Sequence, residues 1–340
     1  MNRILVLDEG SLGRNVLKAF KKEDIVSYKY SHFKDGEMLV ELLEPVRGDD
    51  VMVLASFSTP VNDNLMKILI CIDALRRASA KSIDLLIPYM GYSRQDRRMS
   101  PWQPITARLV ADLLQRSGAT RVVTFDLHCP QIEGFYSIPI DNIPVSSILG
   151  MIWRKSCPPN FNPDNDVVVS PDHGGVVRAR AFMNSAGIPN LVIVNKYRER
   201  ANEVSSMQVI GNVEGKNAII VDDLVDTGGT LMKAATELKK LGAKDIYIFC
   251  THGVFSEDAI EKLSNCEAIT KLIITNTIDK SDQLINGKIE YIDLSRIVIG
   301  IINSFRDGKH LINYINKLIE YDPNSDAELQ KEIKKRNENQ

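Results

Sequence analysis

Short apolar runs, many of them β-branched, recur along this chain with segments of helical spacing between them. The runs at 51–54, 83–87, 121–125, 167–169, 191–194, 218–221 and 246–249 read as strands with little polar alternation. A strand that is apolar on both faces has to be covered on both, and parallel sheets layered between helices do that. The helices are legible as well. Leu65, Ile68, Leu69, Ile72 and Leu75 mark one apolar face that ends in Arg76-Arg77. Leu231, Ala234, Ala235, Leu238 and Leu241 mark another, stopped by Gly242. The fold class expected is therefore α/β, with mostly parallel sheets flanked by helices.

The chain also repeats itself. Residues 113–128 and 237–252 both read as a helix end, a Gly-Ala turn, an apolar strand and a histidine, His128 in one and His252 in the other. A tandem pair of similar α/β domains is predicted, and 340 residues accommodate about two domains. The join is expected within 143–163, where Pro144, Pro158, Pro159 and Pro163 suit a linker. The boundaries read as 1–144, 145–305 and a C-terminal helix with a charged tail over 306–340. Beyond Asp322 there is no apolar stripe, so fraying is expected there.

Charge narrows the partners. Lys plus Arg is 42 against 44 for Asp plus Glu, a net charge of −2, which supplies no general field for nucleic acid or an anionic membrane. Phosphate binding must come from local sites. The five cysteines are scattered without a Cys-x-x-Cys pair and read as small core residues. Ile4-Leu5-Val6-Leu7 is too short for a signal-peptide core, and no apolar run approaches the ~18 residues of a membrane span. A soluble, cytoplasmic protein is expected.

The strongest local signal is the strand 218–221 running into Asp222 and Asp223, then Asp226, Thr227, Gly228, Gly229 and Thr230, then a helix. Gly228 and Gly229 let backbone N–H groups approach an anion, and the helix N-terminus favours negative charge. Thr227 and Thr230 add hydroxyl donors. Asp222 and Asp223 cannot bind phosphate, but they can accept hydrogen bonds from sugar hydroxyls or hold a hydrated Mg²⁺. A phosphate cradle beside diol acceptors describes a sugar phosphate. The plainer alternative is an N-capped helix after a tight turn. Three repelling carboxylates in five residues argue for function instead.

This segment resembles the phosphoribosyl pyrophosphate-binding motif of the type I phosphoribosyltransferase fold. Further segments resemble the ribose-phosphate pyrophosphokinase family: Phe33-Lys34-Asp35-Gly36-Glu37, Tyr92-Ser93-Arg94-Gln95-Asp96-Arg97, Asp126-Leu127-His128 and Ser170-Pro171-Asp172-His173-Gly174-Gly175. The resemblance implies two phosphoribosyltransferase-like domains and the reaction of ATP with ribose 5-phosphate, giving phosphoribosyl pyrophosphate and AMP for nucleotide biosynthesis. It implies ATP contacts at Arg94, Gln95 and Asp96. Phe33, Asp35, Gly36 and Glu37 would meet the adenine in a neighbouring subunit, so a homo-oligomer built from dimers, up to a hexamer, is expected. The same resemblance implies Mg²⁺ at His128 and Asp172, and a lid carrying Lys196 and Arg198. It places ribose 5-phosphate on Asp222 and Asp223 and on the loop from Asp226 to Thr230. Ser137 and Asn195 stand where many relatives carry acidic residues. No Gly-x-x-x-x-Gly-Lys-Ser/Thr loop is present, which excludes a P-loop kinase. A phosphoribosyltransferase and a non-catalytic regulatory relative are the alternatives.

Overall fold

The computed structural model describes residues 2–157, 161–197 and 206–308. The first half contains β1 (Asn2–Val6), α1 (Ser11–Lys18), the hairpin β2 (Tyr28–His32) and β3 (Met38–Leu42), and β4 (Asp50–Leu54). There follow α2 (Val61–Arg77), β5 (Ser82–Ile87), α3 (Thr106–Ser117), β6 (Arg121–Phe125) and β7 (Ile140–Ile143). The chain continues through α4 (Val145–Ser156), β8 (Asp166–Ser170), α5 (Val176–Ala186), β9 (Leu191–Tyr197), β10 (Ser206–Ile210) and β11 (Asn217–Val225). It ends with α6 (Gly229–Lys240), β12 (Ile246–Gly253), α7 (Ala259–Asn265), β13 (Lys271–Thr275), β14 (Ile289–Ile292) and α8 (Ser295–Asp307).

Two sheets result. The first has the order β1-β4-β5-β6-β7, all parallel, and the second β10-β9-β8-β11-β12-β13-β14, parallel except where β10 runs against β9. Successive strand residues point to opposite faces, and both faces here are apolar. Val6, Leu54, Leu86 and Val123 face one way from the first sheet, while Leu5, Val53, Leu85 and Val122 pack on the α2 and α3 side. From the second sheet Val168, Ile219 and Phe249 face one way, and Ile220 and Ile248 pack with α6 and α7.

The inward faces of the two sheets belong to one core. Leu12 and Val16 of α1, Ile148 and Leu149 of α4, Phe182 of α5 and Val298 and Ile301 of α8 lie in the same apolar cluster as both. One helical layer therefore serves two sheets. Phe182 is fully buried with its ring 5.0 Å from that of Phe249, and truncating such a side chain to alanine costs about 3–5 kcal/mol. That loss would fall on both halves at once.

Two expectations change. The proline-rich join is not an open linker over its whole length: Pro144 opens α4, whose Val145, Ile148 and Leu149 join the shared layer. Proline suits a helix start because its fixed φ is already helical. The strand expected over 191–194 is longer: β9 continues to Tyr197 and Lys196 pairs with Met207 on β10. β10 is the edge strand of this sheet, and an edge strand needs less apolar cover. Of the C-terminal helix and tail expected over 306–340, only residues 306–308 are described, at the end of α8; the rest lies outside the described residues. Among the described residues no helix is long and apolar enough to cross a membrane.

Candidate active site

The chain leaves β8 to form β9 on one side and returns to form β11 on the other. Such a reversal opens a crevice at the carboxyl ends of the two strands, where open α/β sheets bind ligands. β8 ends at the Asp172 loop and β11 carries Asp222 and Asp223. The site forms there.

β11 is longer than its apolar run because its pairing with β12 continues through Asp222↔Cys250 and Leu224↔His252. Asp223 is buried and both its oxygens are engaged. Oδ2 lies 2.8 Å from His128 Nδ1, and Oδ1 lies 3.2 Å from a terminal nitrogen of Arg178. Asp222 is half-buried; its Oδ1 accepts the Asp223 N–H at 2.9 Å and lies 3.5 Å from the same guanidinium. The other end of Arg178 reaches the carbonyls of Leu127 at 3.4 Å and His128 at 3.5 Å. His128 follows β6 in the first sheet, so the cluster joins the two sheets.

The protonation states diverge accordingly. Burial and the adjacent charge of Asp223 raise Asp222 well above the ordinary carboxylate range, with Arg178 opposing. Burial would raise Asp223 too, but the His128 hydrogen bond and the Arg178 charge outweigh it and hold that carboxyl below its ordinary value. The same hydrogen bond raises His128 against the effect of burial. Two adjacent buried carboxylates do not ionise alike.

Asp172 accepts the Gly175 N–H at 2.9 Å, at the start of α5, and its charge helps to raise Asp222. The glycine turn follows β11. Gly228 has φ +74° and a Cβ there would meet Leu263 at 2.9 Å, so this position requires glycine. No side chain caps α6, which begins at Gly229. Its first N–H groups thus lack the side-chain partner that a merely capped helix would have. Thr227 and Thr230 are exposed beside them.

The loop after β5 meets this turn from the first half. Arg94 donates to Asp226 Oδ2 at 2.6 Å. Gln95 Oε1 accepts from the Thr106 hydroxyl at 2.5 Å, and Asp96 accepts from the Cys129 thiol at 3.2 Å. Tyr89, Met90, Arg94, His128 and Asp223 line a small pocket between the halves. Phe33, Asp35, Gly36 and Glu37 form the exposed tip of the β2–β3 hairpin, closed by Phe33 N–H to Glu37 O at 2.8 Å. Among the described residues no hydrogen bond or ion pair joins that tip to the Asp223 cluster. Lys196 lies on β9, and Arg198 lies outside the described residues.

Sequence reasoning missed Arg178. Nothing in Gly174-Gly175-Val176-Val177-Arg178 separates it from a surface arginine on a helix; only the packing of the two sheets buries it. The repeat's second histidine also differs from the first. His252 is fully buried, with Nδ1 2.9 Å from Thr277 Oγ1 and Nε2 3.1 Å from Phe125 O, and burial lowers its pKa to about 4. Asp126 supports the cluster from behind: it is buried and accepts from Ser146 N–H at 2.8 Å and the Thr251 hydroxyl at 2.6 Å.

Comparison with known proteins gives the family. The N-terminal domain of ribose phosphate pyrophosphokinase matches residues 8–118, and the phosphoribosyl synthetase-associated domain matches residues 164–314. Ribose-phosphate pyrophosphokinase 1 of Lactococcus lactis is 48% identical over 268 residues, 79% of this chain and 82% of that protein. The ribose-phosphate pyrophosphokinase of Bacillus subtilis is 45% identical over 273 residues, 79% of this chain and 84% of its own. The crystal structure of phosphoribosylpyrophosphate synthetase from Mycobacterium smegmatis superposes with a TM-score of 0.82 at 34% identity, covering 90% of this chain and 99% of that one. The chain belongs to the ribose-phosphate pyrophosphokinase family of enzymes.

Proposed function

We propose that the protein transfers the diphosphoryl group of ATP to the anomeric hydroxyl of ribose 5-phosphate, giving phosphoribosyl pyrophosphate and AMP for nucleotide biosynthesis in the cytoplasm. The observation that carries this reading is the Arg94–Asp226 bond of 2.6 Å, which sets a nucleotide-side loop of one sheet against a phosphate-cradling turn of the other. Acceptor and donor groups then share one crevice. The regions 1–144 and 145–305 are read as the two domains that meet there.

The ribose 5-phosphate would lie with its phosphate on residues 226–230, at the uncapped start of α6. Asp223 has both oxygens engaged, so its part is to hold His128. Asp222, the more exposed of the two, would meet the sugar hydroxyls. Transfer of this kind depends on alignment and charge neutralisation more than on a covalent intermediate. Arg94, with Gln95 and Asp96, would hold the nucleotide, and Lys196 and Arg198 would cover the transferring phosphates. The anomeric oxygen bonds to the β-phosphorus and releases its proton to solvent, the bond from the β-phosphorus to the α-phosphate oxygen breaks, and AMP departs with that oxygen.

His128 and Asp172 would hold a magnesium ion together with phosphate oxygens and water, since among the described residues no three His, Cys, Asp or Glu side chains form a metal cluster of their own. Asp223 binds His128 Nδ1 and fixes the ring, leaving Nε2, an arrangement common behind metal-bound imidazoles. Asp172 supplies a hard carboxylate oxygen near Asp222. Mg²⁺ held there with water and phosphate oxygens would neutralise charge on the diphosphoryl group. Phe33, Asp35, Gly36 and Glu37, exposed on their hairpin, would complete the ATP site of a neighbouring copy in a homo-oligomer.

Incubation with ATP, ribose 5-phosphate and Mg²⁺ followed by ³¹P NMR tests the reading. AMP and phosphoribosyl pyrophosphate should appear together. Consumption of added phosphoribosyl pyrophosphate with a nucleobase would favour a phosphoribosyltransferase. Binding without turnover would favour a regulatory relative.

A further inference from the structure

Arg178 has no role in the reaction just described, yet its side chain touches the groups that do. It stands in the first turn of α5, the helix after the Asp172 loop, with its side chain 11% exposed. One terminal nitrogen lies 3.2 Å from Asp223 Oδ1 and 3.5 Å from Asp222 Oδ1. The other lies 3.4 Å from Leu127 O and 3.5 Å from His128 O. Two acceptors come from β11 in the second sheet and two from the loop after β6 in the first. A planar guanidinium can span acceptors on two sides, whereas a lysine ammonium acts as a point charge.

We propose that Arg178 is a positioning residue that braces Asp223 and His128 across the two sheets and thereby fixes the Asp222 carboxyl for ribose 5-phosphate. This rests on the reading of the crevice as a sugar-phosphate site. Asp223, 5% exposed, is held by Arg178 on one oxygen and by His128 on the other. Asp222, 18% exposed, keeps one oxygen that neither Arg178 nor the Asp223 N–H engages. A single cation between adjacent buried carboxylates offsets their repulsion. His128 is held at both ends, its ring by Asp223 and its carbonyl by Arg178. Contacts of 3.2–3.5 Å are individually weak, so the brace works through charge and the number of partners.

Arg178→Lys separates positioning from bulk stability, because it keeps the charge and loses the fork. Ribose 5-phosphate binding, measured by calorimetry on metal-free protein, should weaken by about 10-fold or more while the thermal midpoint stays within a few degrees of the parent. Unchanged affinity would overturn the proposal, as would an affinity loss matched by loss of folding. The double variant Arg178→Gln with Asp223→Asn removes both charges together and serves if the single variant does not fold. Its affinity should equal that of Asp223→Asn alone, since that change already breaks the brace; a further loss would mean that the two residues act separately. A parent protein that makes no AMP but shows Arg178-dependent binding would remove the reaction and keep the brace. Turnover by the parent with Arg178-independent binding would do the reverse.

Discussion

Acid should weaken this fold through His252 in particular. The ring is fully buried between the carboxyl end of β6 and the turn after β13, with the Tyr89 ring 5.0 Å away. Phe125 O can only accept, so Nε2 carries the proton and Nδ1 accepts from the Thr277 hydroxyl. Protonating Nδ1 would turn that hydroxyl to Thr251 O, 3.1 Å away, so hydrogen bonding does not forbid the charged ring. Burial does, with Arg178 adding to it, while Asp223 and the Phe125 carbonyl favour the charge. The net result is a folded pKa of about 4 against 6.5 in the unfolded chain. The unfolded chain therefore binds more protons between these values, and the stability is complete above the higher one and lost as pH falls toward the lower. At about 1.4 kcal/mol per tenfold, the whole window is worth roughly 3 kcal/mol, of which about 2 kcal/mol is gone near pH 5. Urea unfolding of the parent and of His252→Gln isolates this term, because other titrating groups cancel in the difference. The parent should be the more stable at neutral pH, and its advantage should shrink by about 2 kcal/mol between pH 7.5 and 5. An advantage that stays constant across that range would refute the assignment of the loss to His252.

Other outcomes follow from the crevice. Gly228→Ala must hold alanine at φ +74° with its Cβ 2.9 Å from Leu263, so it should lose about 1–2 kcal/mol of stability and weaken ribose 5-phosphate binding at least ~10-fold by calorimetry. Lys196→Ala should lower turnover by at least ~10³-fold and leave ATP affinity nearly intact, because a cation over the moving phosphates acts on the transition state; equal losses would remove it from that place. His128→Ala should raise the Mg²⁺ concentration for half-maximal rate, and an unchanged requirement would return this histidine to a structural role. Asp35→Ala with Glu37→Ala in one chain, reassembled with a Lys196→Ala chain, should regain activity if the exposed hairpin serves a neighbour; no rescue with proven subunit exchange would place each site within one chain.

What could be read from the sequence was what local pattern determines. The central strands were legible because both their faces are buried, which leaves a continuous apolar run such as Ile219-Ile220-Val221. The β2–β3 hairpin was not, since Tyr28-Lys29-Tyr30-Ser31-His32 lies mostly exposed and has no core face to print a pattern. The acid pair and the glycine turn were legible because they are built from consecutive residues. Arg178 was not, because its four partners come from 44 to 51 positions away.

The two repeat histidines carry this distinction furthest. Each follows or ends the strand after a left-handed glycine, Gly118 at φ +127° and Gly242 at φ +86°, and in sequence they occupy the same place. Each also reaches into the opposite half: His128 from the first sheet to Asp223 on β11, and His252 from the second sheet to the Phe125 carbonyl on β6. The exchange is reciprocal, but the partners differ in charge. A carboxylate raises His128 and leaves it 40% exposed at the crevice; a carbonyl in a sealed interior lowers His252 to about 4. One local motif therefore yields a crevice-facing group and a neutral structural group, and the choice is made by the residue that the other half presents. The shared helical layer is what makes that possible, because it fixes the ends of β6, β11 and β12 against one another.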